Sequence, residues 1–193
     1  MLTFVATYPS MKIFLLLTLA LSLPISISGQ TIFEKYQNNK EVTAITISPK
    51  MFQLLGSMSL SSGDPDSEDF MEMIRGITQF RALLTGSIAI SDEIGQWVAK
   101  EADTKDLDLM VSMQENSTDL KLYIKEGDQE GELKSLLMFS NGVSKTLPNA
   151  QVQGNSIESV VLLIEGKIAL DKIAKLITKM NLPGGDQLKK AGI

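Results

Sequence analysis

The sequence predicts an α+β fold in two layers, with a mostly antiparallel sheet that includes a three-stranded meander and with helices mainly on one face. Three observations predict it. Leu107, Leu109, Val111 and Met113 alternate with Asp108, Met110, Ser112 and Gln114, and Leu120, Leu122 and Ile124 alternate with Lys121, Tyr123 and Lys125, which is the two-residue period of half-buried strands. Val160-Val161-Leu162-Leu163-Ile164 is a continuous apolar run, as expected of a central strand covered on both faces. Apolar residues recur at helical spacing in the stretches between, and these supply the second layer.

In chain order, Phe33-Glu34-Lys35-Tyr36 forms a short helical turn that stops at Asn38-Asn39, since asparagine tolerates the left-handed conformation. Val42-Thr43-Ala44-Ile45-Thr46-Ile47 is β-branched at almost every position and reads as a strand. Ser48-Pro49 opens a helix, the serine as cap and the proline where its missing N–H is harmless; Met51, Phe52, Leu55 and Met58 are its apolar face. Residues 61–69 are an acidic, turn-rich connector into a helix through Phe70, Met73 and Ile74. Ile77 to Thr85 is strand-like, and a helix starting at Ser91-Asp92-Glu93 carries Ile94, Trp97, Val98 and Ala102.

A two-residue turn at Asn116-Ser117 then sets Val111 opposite Leu122 and Leu109 opposite Ile124 on the core face, with Asp108 facing Lys125 outside. A strand at 133–140 follows the polar loop ending at Gly131. After the central strand, a last helix presents Leu170, Ile173, Ala174 and Ile177 and stops at Asn181-Leu182-Pro183-Gly184-Gly185.

Composition removes whole classes of chemistry. The 193 residues include no cysteine and no histidine. Disulfides, thiolate nucleophiles, cysteine-ligated metals, a lipid-bearing N-terminal cysteine and every His-dependent triad are therefore excluded. Catalysis here would have to run on carboxylates, lysine, tyrosine or a Ser-Lys pair. With 18 Lys+Arg against 23 Asp+Glu, a net charge of −5 and no basic run, nucleic acid is not an expected partner.

Residues 1–29 hold one charged side chain, Lys12, ahead of the apolar run Ile13-Phe14-Leu15-Leu16-Leu17-Thr18-Leu19-Ala20-Leu21. Pro24 breaks the run and Ser26-Ile27-Ser28-Gly29 supplies small residues, so a signal peptide cut at Gly29/Gln30 or one residue earlier is expected, with Met11 as the working start. The alternative, a membrane anchor, needs ~20 apolar residues, which this run does not reach. The expected product is one domain, 30–193, exported to the periplasm or beyond, soluble, not lipid-anchored and without a transmembrane span.

Phe33-Glu34-Lys35-Tyr36 leading into Val42-Thr43, Ile47-Ser48 and Met51-Phe52 resembles the opening of the bacterial family catalogued as domain of unknown function 4252 (DUF4252). Leu109-Met110-Val111, Leu122-Tyr123-Ile124-Lys125-Glu126, Glu132-Leu133, Ile164-Glu165-Gly166-Lys167-Ile168 and Leu170-Asp171-Lys172-Ile173 are similar to that family's hairpin and closing strand and helix. The resemblance implies an export or lipoprotein signal, and the missing cysteine departs from the lipoprotein form. It implies no activity, cofactor or catalytic residue.

Candidate sites are few. Asp64, Asp66, Glu68 and Asp69 offer oxygen ligands for calcium, but Asp69 stands where a calcium loop needs glycine, so a solvated linker is the plainer reading and no metal is expected. Ser48 with Lys50 and Ser144 with Lys145 read as a helix cap and a polar loop rather than catalytic pairs. Asn116-Ser117-Thr118 matches a glycosylation acceptor and reads better as the hairpin turn.

One row is less ordinary. In the register above, Met110 faces Tyr123, and a four-residue turn at 128–131 sets Tyr123 opposite Leu136 with Met138 diagonal to it. Three strands then share an apolar row, Met110, Tyr123, Leu136 and Met138, on the face expected to be polar. The expected function is therefore non-enzymatic binding of an envelope protein or a second copy, without a cofactor. The alternative is a module holding an apolar small molecule between sheet and helices.

Overall fold

The computed structural model describes residues 31–59, 74–115, 117–152 and 154–169, omitting the side chains of 55–59. The chain divides into two units, Met1–Gln30 and Thr31–Ile193, and everything described belongs to the second. The acidic connector, most of the helix through Phe70, the final helix and Asn116 lie outside the described residues.

The elements in chain order are α1 (Ile32–Tyr36), β1 (Val42–Ile47), α2 (Pro49–Ser59), β2 (Ile77–Thr85), α3 (Ile88–Thr104), β3 (Asp108–Glu115), β4 (Thr118–Glu126), β5 (Glu132–Asn141), α4 (Val143–Thr146), β6 (Gln151–Val152), β7 (Asn155–Ser156) and β8 (Ser159–Ala169). Six strands form an antiparallel sheet in the order β1-β2-β8-β5-β4-β3, and β6 pairs with β7 as a separate two-stranded ribbon. The fold is α+β. The apolar run of β8 takes the middle of the sheet, where both faces are covered: Val160, Leu162 and Ile164 pack on one side, Val161 and Leu163 on the other.

Each face has its own core. On the first, Phe80, Ala82, Leu122, Leu136, Met138, Leu162 and Ile164 pack with Phe52 of α2, with Ile74 and with Val143 and Ile157. On the second, Leu83, Leu137, Phe139, Val161 and Leu163 pack under Ile90, Ile94 and Val98 of α3 and Ile32, Phe33 and Tyr36 of α1. Capping fixes the short α1: the Thr31 side chain accepts from Glu34 N and the Glu34 carboxylate accepts from Thr31 N. Ser48 accepts from Met51 N at 3.3 Å, the capping role expected of it at the start of α2.

Four local expectations are corrected. Met51 is half exposed while Phe52 is buried against Phe80 with ring centroids 6.1 Å apart, because adjacent helical residues point about 100° apart and only one can face the sheet. Helix α3 begins at Ile88, so Ser91 is an interior residue, fully buried, donating to Asn141 Oδ1 at 2.9 Å. Ser144 and Lys145 lie in the single turn α4 instead of a loop, and Ser144 Oγ donates to Glu158.

The fourth concerns register. The predicted pairing holds from Glu115↔Thr118 to Val111↔Leu122. A bulge at Met110 then shifts the strand by one, so that Leu109 faces Tyr123 and Asp108 faces Ile124. The second hairpin repeats this: Glu126↔Leu133 keeps the expected register, and a bulge at Lys134 gives Tyr123↔Leu137 and Ile124↔Leu136. Because side chains alternate with period two, each one-residue slip moves every later side chain to the other face.

Candidate functional site

The row expected from Met110, Tyr123, Leu136 and Met138 is therefore not one row. Leu136 and Met138 are fully buried in the first core, in line with Ile124 and Ile164 and with Leu122 and Leu162 respectively. Met110 sits in the bulge, 38 % exposed, without a partner in the register. Tyr123 belongs to the opposite face.

There the structure builds a different row from neighbouring strands: Leu109, Tyr123, Leu137, Leu163, Arg81 and Thr46 lie side by side across the whole sheet. Helix α3 covers its centre. Gly95 is what lets α3 come down on Phe139, since a Cβ there would stand 3.3 Å from the ring. Arg81 lies over the Phe33 ring at 5.8 Å, and Phe33 meets Trp97 edge-on at 5.5 Å, so α1 and α3 cover the row as far as Arg81, while Thr46 at its β1 end is exposed.

Among the described residues the β3 end is the more exposed. Helix α3 packs mainly on β5, β2 and β8, and α4 meets β4 at its Thr118 end. Leu137 is fully buried, Tyr123 half-buried and Leu109 52 % exposed, so the row passes from core to surface within three residues. With half-buried Leu107, these side chains form an apolar shelf beside α3. Lys121 and Asp119 flank it along β4 and are exposed. The expected Asp108–Lys125 pair gives way to Lys125 with Asp106, Nζ to Oδ2 2.8 Å, because the bulge at Met110 moves Asp108 opposite Ile124. That contact, strengthened by a hydrogen bond and by charge, holds the Asp106 carboxyl below its usual range.

Besides the Ser91–Asn141 bond, polar contacts hold α3 in place at two further points. Near its start, Glu93 accepts from Tyr36 Oη at 2.7 Å and from Lys35 Nζ, tying α1 to α3. The hydrogen bonds from Lys35 and Tyr36 lower the Glu93 pKa, while burial and then the bond to Glu93 raise that of Tyr36. Near its end, Lys105 bridges Glu165 of β8 at 3.0 Å and Glu101 at 3.1 Å. Burial pulls the Lys105 ammonium down, but the two carboxylates outweigh it and its pKa is raised.

A pH prediction follows for α3. Glu93 has a folded pKa below its unfolded value, so its contribution is present above the unfolded value and lost as pH falls through the folded one. Glu93→Gln should flatten the fall in thermal midpoint on the acid side of the usual glutamate range and leave the neutral-pH slope unchanged. Identical acid limbs in the two proteins would show that the contact carries no linkage.

Cavities among the described residues include one of about 300 Å³ beside Glu41, Gly86, Ser87, Val152, Asn155 and Ser156, and one of about 390 Å³ at the β4–β5 loop. The second is lined by Ile124 and Leu133 together with Glu126, Asp128, Glu130 and Glu132. Of the described helices, none is long and apolar enough to cross a membrane. The candidate calcium ligands Asp64, Asp66, Glu68 and Asp69 lie outside the described residues.

An α+β domain with one half-covered sheet face is what these elements define. The model of the family described as "Domain of unknown function (DUF4252)" matches residues 36–176, and the chain belongs to that family. Neither a curated protein nor a solved structure gives a match.

Proposed function

We propose that this chain is an exported, non-enzymatic bacterial protein that binds another component of the cell envelope, and that the shelf of Leu109 and Tyr123 is where it binds. The observation that carries this reading is the exposed end of the apolar row. Leu109 is 52 % exposed next to a half-buried tyrosine, at a sheet edge where a solvated face would place polar groups. Tyrosine at the centre of such a patch supplies large contact area for little lost rotamer freedom. Export rests on the signal-like segment 1–29, whose apolar run and small residues before Gln30 suit cleavage. The apolar-ligand alternative calls for an apolar cavity, whereas the cavity at the β4–β5 loop carries four carboxylate residues.

The test is site-specific photocrosslinking in cells. A crosslinker at position 109 should capture a defined envelope protein, and Tyr123→Lys should remove that adduct while the melting curve stays near wild type. Adducts indifferent to Tyr123→Lys would sink the assignment of the shelf, and loss of the fold in that variant would make the residue core.

A further inference from the structure

The two edges of the sheet are built differently. Strand β3 carries the devices by which edges avoid strange partners: a bulge at Met110 and an acid at each end, Asp108 and Glu115. Strand β1 has none of these. Its six residues Val42-Thr43-Ala44-Ile45-Thr46-Ile47 are uncharged, its register with β2 runs unbroken from Val42↔Thr85 to Ile47↔Phe80, and among the described residues it pairs on one side only. Ile45 and Ile47 pack against the first core but remain half-buried at its rim.

We propose that β1 pairs antiparallel with β1 of a second copy of this chain, joining two six-stranded sheets into one. A twofold axis through Ile45 places Ile45 against its copy, Thr43 against Ile47 and Val42 against Ser48. Opposed residues in an antiparallel pair share a face, so this register continues both cores across the junction.

Charge selects this occupant over an unrelated strand. Helix α2 has no acidic residue in its first turn, where the helix dipole favours one, and carries Lys50 there instead. In the proposed register Glu41 of one copy falls opposite Pro49, the first residue of the other copy's α2, and next to its Lys50. Glu41 is exposed, with no ion pair among the described residues. Within one chain Glu41 and Lys50 are held apart by the length of β1, about 20 Å, so they can meet only across copies. The complementarity is repeated at both ends of the junction by symmetry.

Sedimentation equilibrium of the purified chain tests this, with circular dichroism as the check on folding. Wild type should sediment as a dimer. Thr46→Lys, at an exposed position of β1, should give a folded protein whose dimer is weaker by roughly tenfold or more, since it places two ammonium groups in the junction. Glu41→Lys and Lys50→Glu should each weaken the dimer, and the charge-swapped double variant should restore it. Tyr123→Lys should leave it intact, which separates this interface from the binding shelf. A monomeric wild type, a dimer indifferent to Thr46→Lys, a double variant no better than its parents, or a dimer lost in Tyr123→Lys would each overturn the proposal.

Discussion

Gly166→Ala is expected to lower stability by about 3 kcal/mol or more, out of the 5–15 kcal/mol typical of a domain. Gly166 sits in β8 with φ +137°, a region that side chains rarely enter, and its strand crosses the start of β2 at very close range. A Cβ there would stand 2.1 Å from the Gly76 carbonyl oxygen and 2.7 Å from Thr78 N. Both are backbone atoms, so no side chain can swing aside. Gly76 faces the same restriction, with a Cβ only 1.9 Å from the Lys167 carbonyl oxygen, and the two glycines let Lys167 N donate to Gly76 O at 2.9 Å. Separating these strands would break the pairing next to the bulge between Ile77 and Gln79, at the end of the central strand. The comparison is Gly131→Ala, where φ is +75° but nothing lies within 4 Å of the added carbon. That change should cost only the left-handed backbone penalty, roughly 1 kcal/mol. Urea unfolding measures both, and equal midpoints for the two variants would refute the close approach.

Leu136→Lys is expected to abolish the fold or to cost about 4 kcal/mol or more, as burying an ammonium in a sealed apolar site does. Leu136 is fully buried between Ile124 of β4 and Ile164 of β8, in the middle of the first core, with no route for a lysine to reach water. Tyr123→Lys should cost less than about 1.5 kcal/mol, because Tyr123 is only half-buried and a lysine stem can lie along the shelf with its charge in solvent. The two residues were expected to face each other. Thermal unfolding that ranks them the other way round would return them to a single row.

The difference between that expectation and the fold is confined to two backbone positions. The turns were legible: Glu115 pairs with Thr118, Ser117 takes φ +66°, and Gly127 N donates to Glu132 O at 2.7 Å across the 128–131 loop. Alternation was legible too, since leucine and isoleucine at every second position mark a half-buried strand whichever face they take. A bulge leaves no such mark. Met110 and Lys134 are ordinary residues, and neither alternation nor turn chemistry shows that one of them is skipped in the ladder. The apolar row therefore kept Tyr123 but exchanged Met110 and Leu136 for Leu109 and Leu137.

By itself the sequence determined the six strands of the main sheet and the starts of α1 and α2, the central place of the 160–164 run, the family, and the absence of thiol and imidazole chemistry. These depend on local spacing and residue type, which physical chemistry reads within a few residues. Tertiary structure alone decided which apolar residues are core and which are surface. It did so through two one-residue slips in the ladder, and through a helix α3 that, seated on Phe139 beside Gly95, packs mainly on β2, β8 and β5.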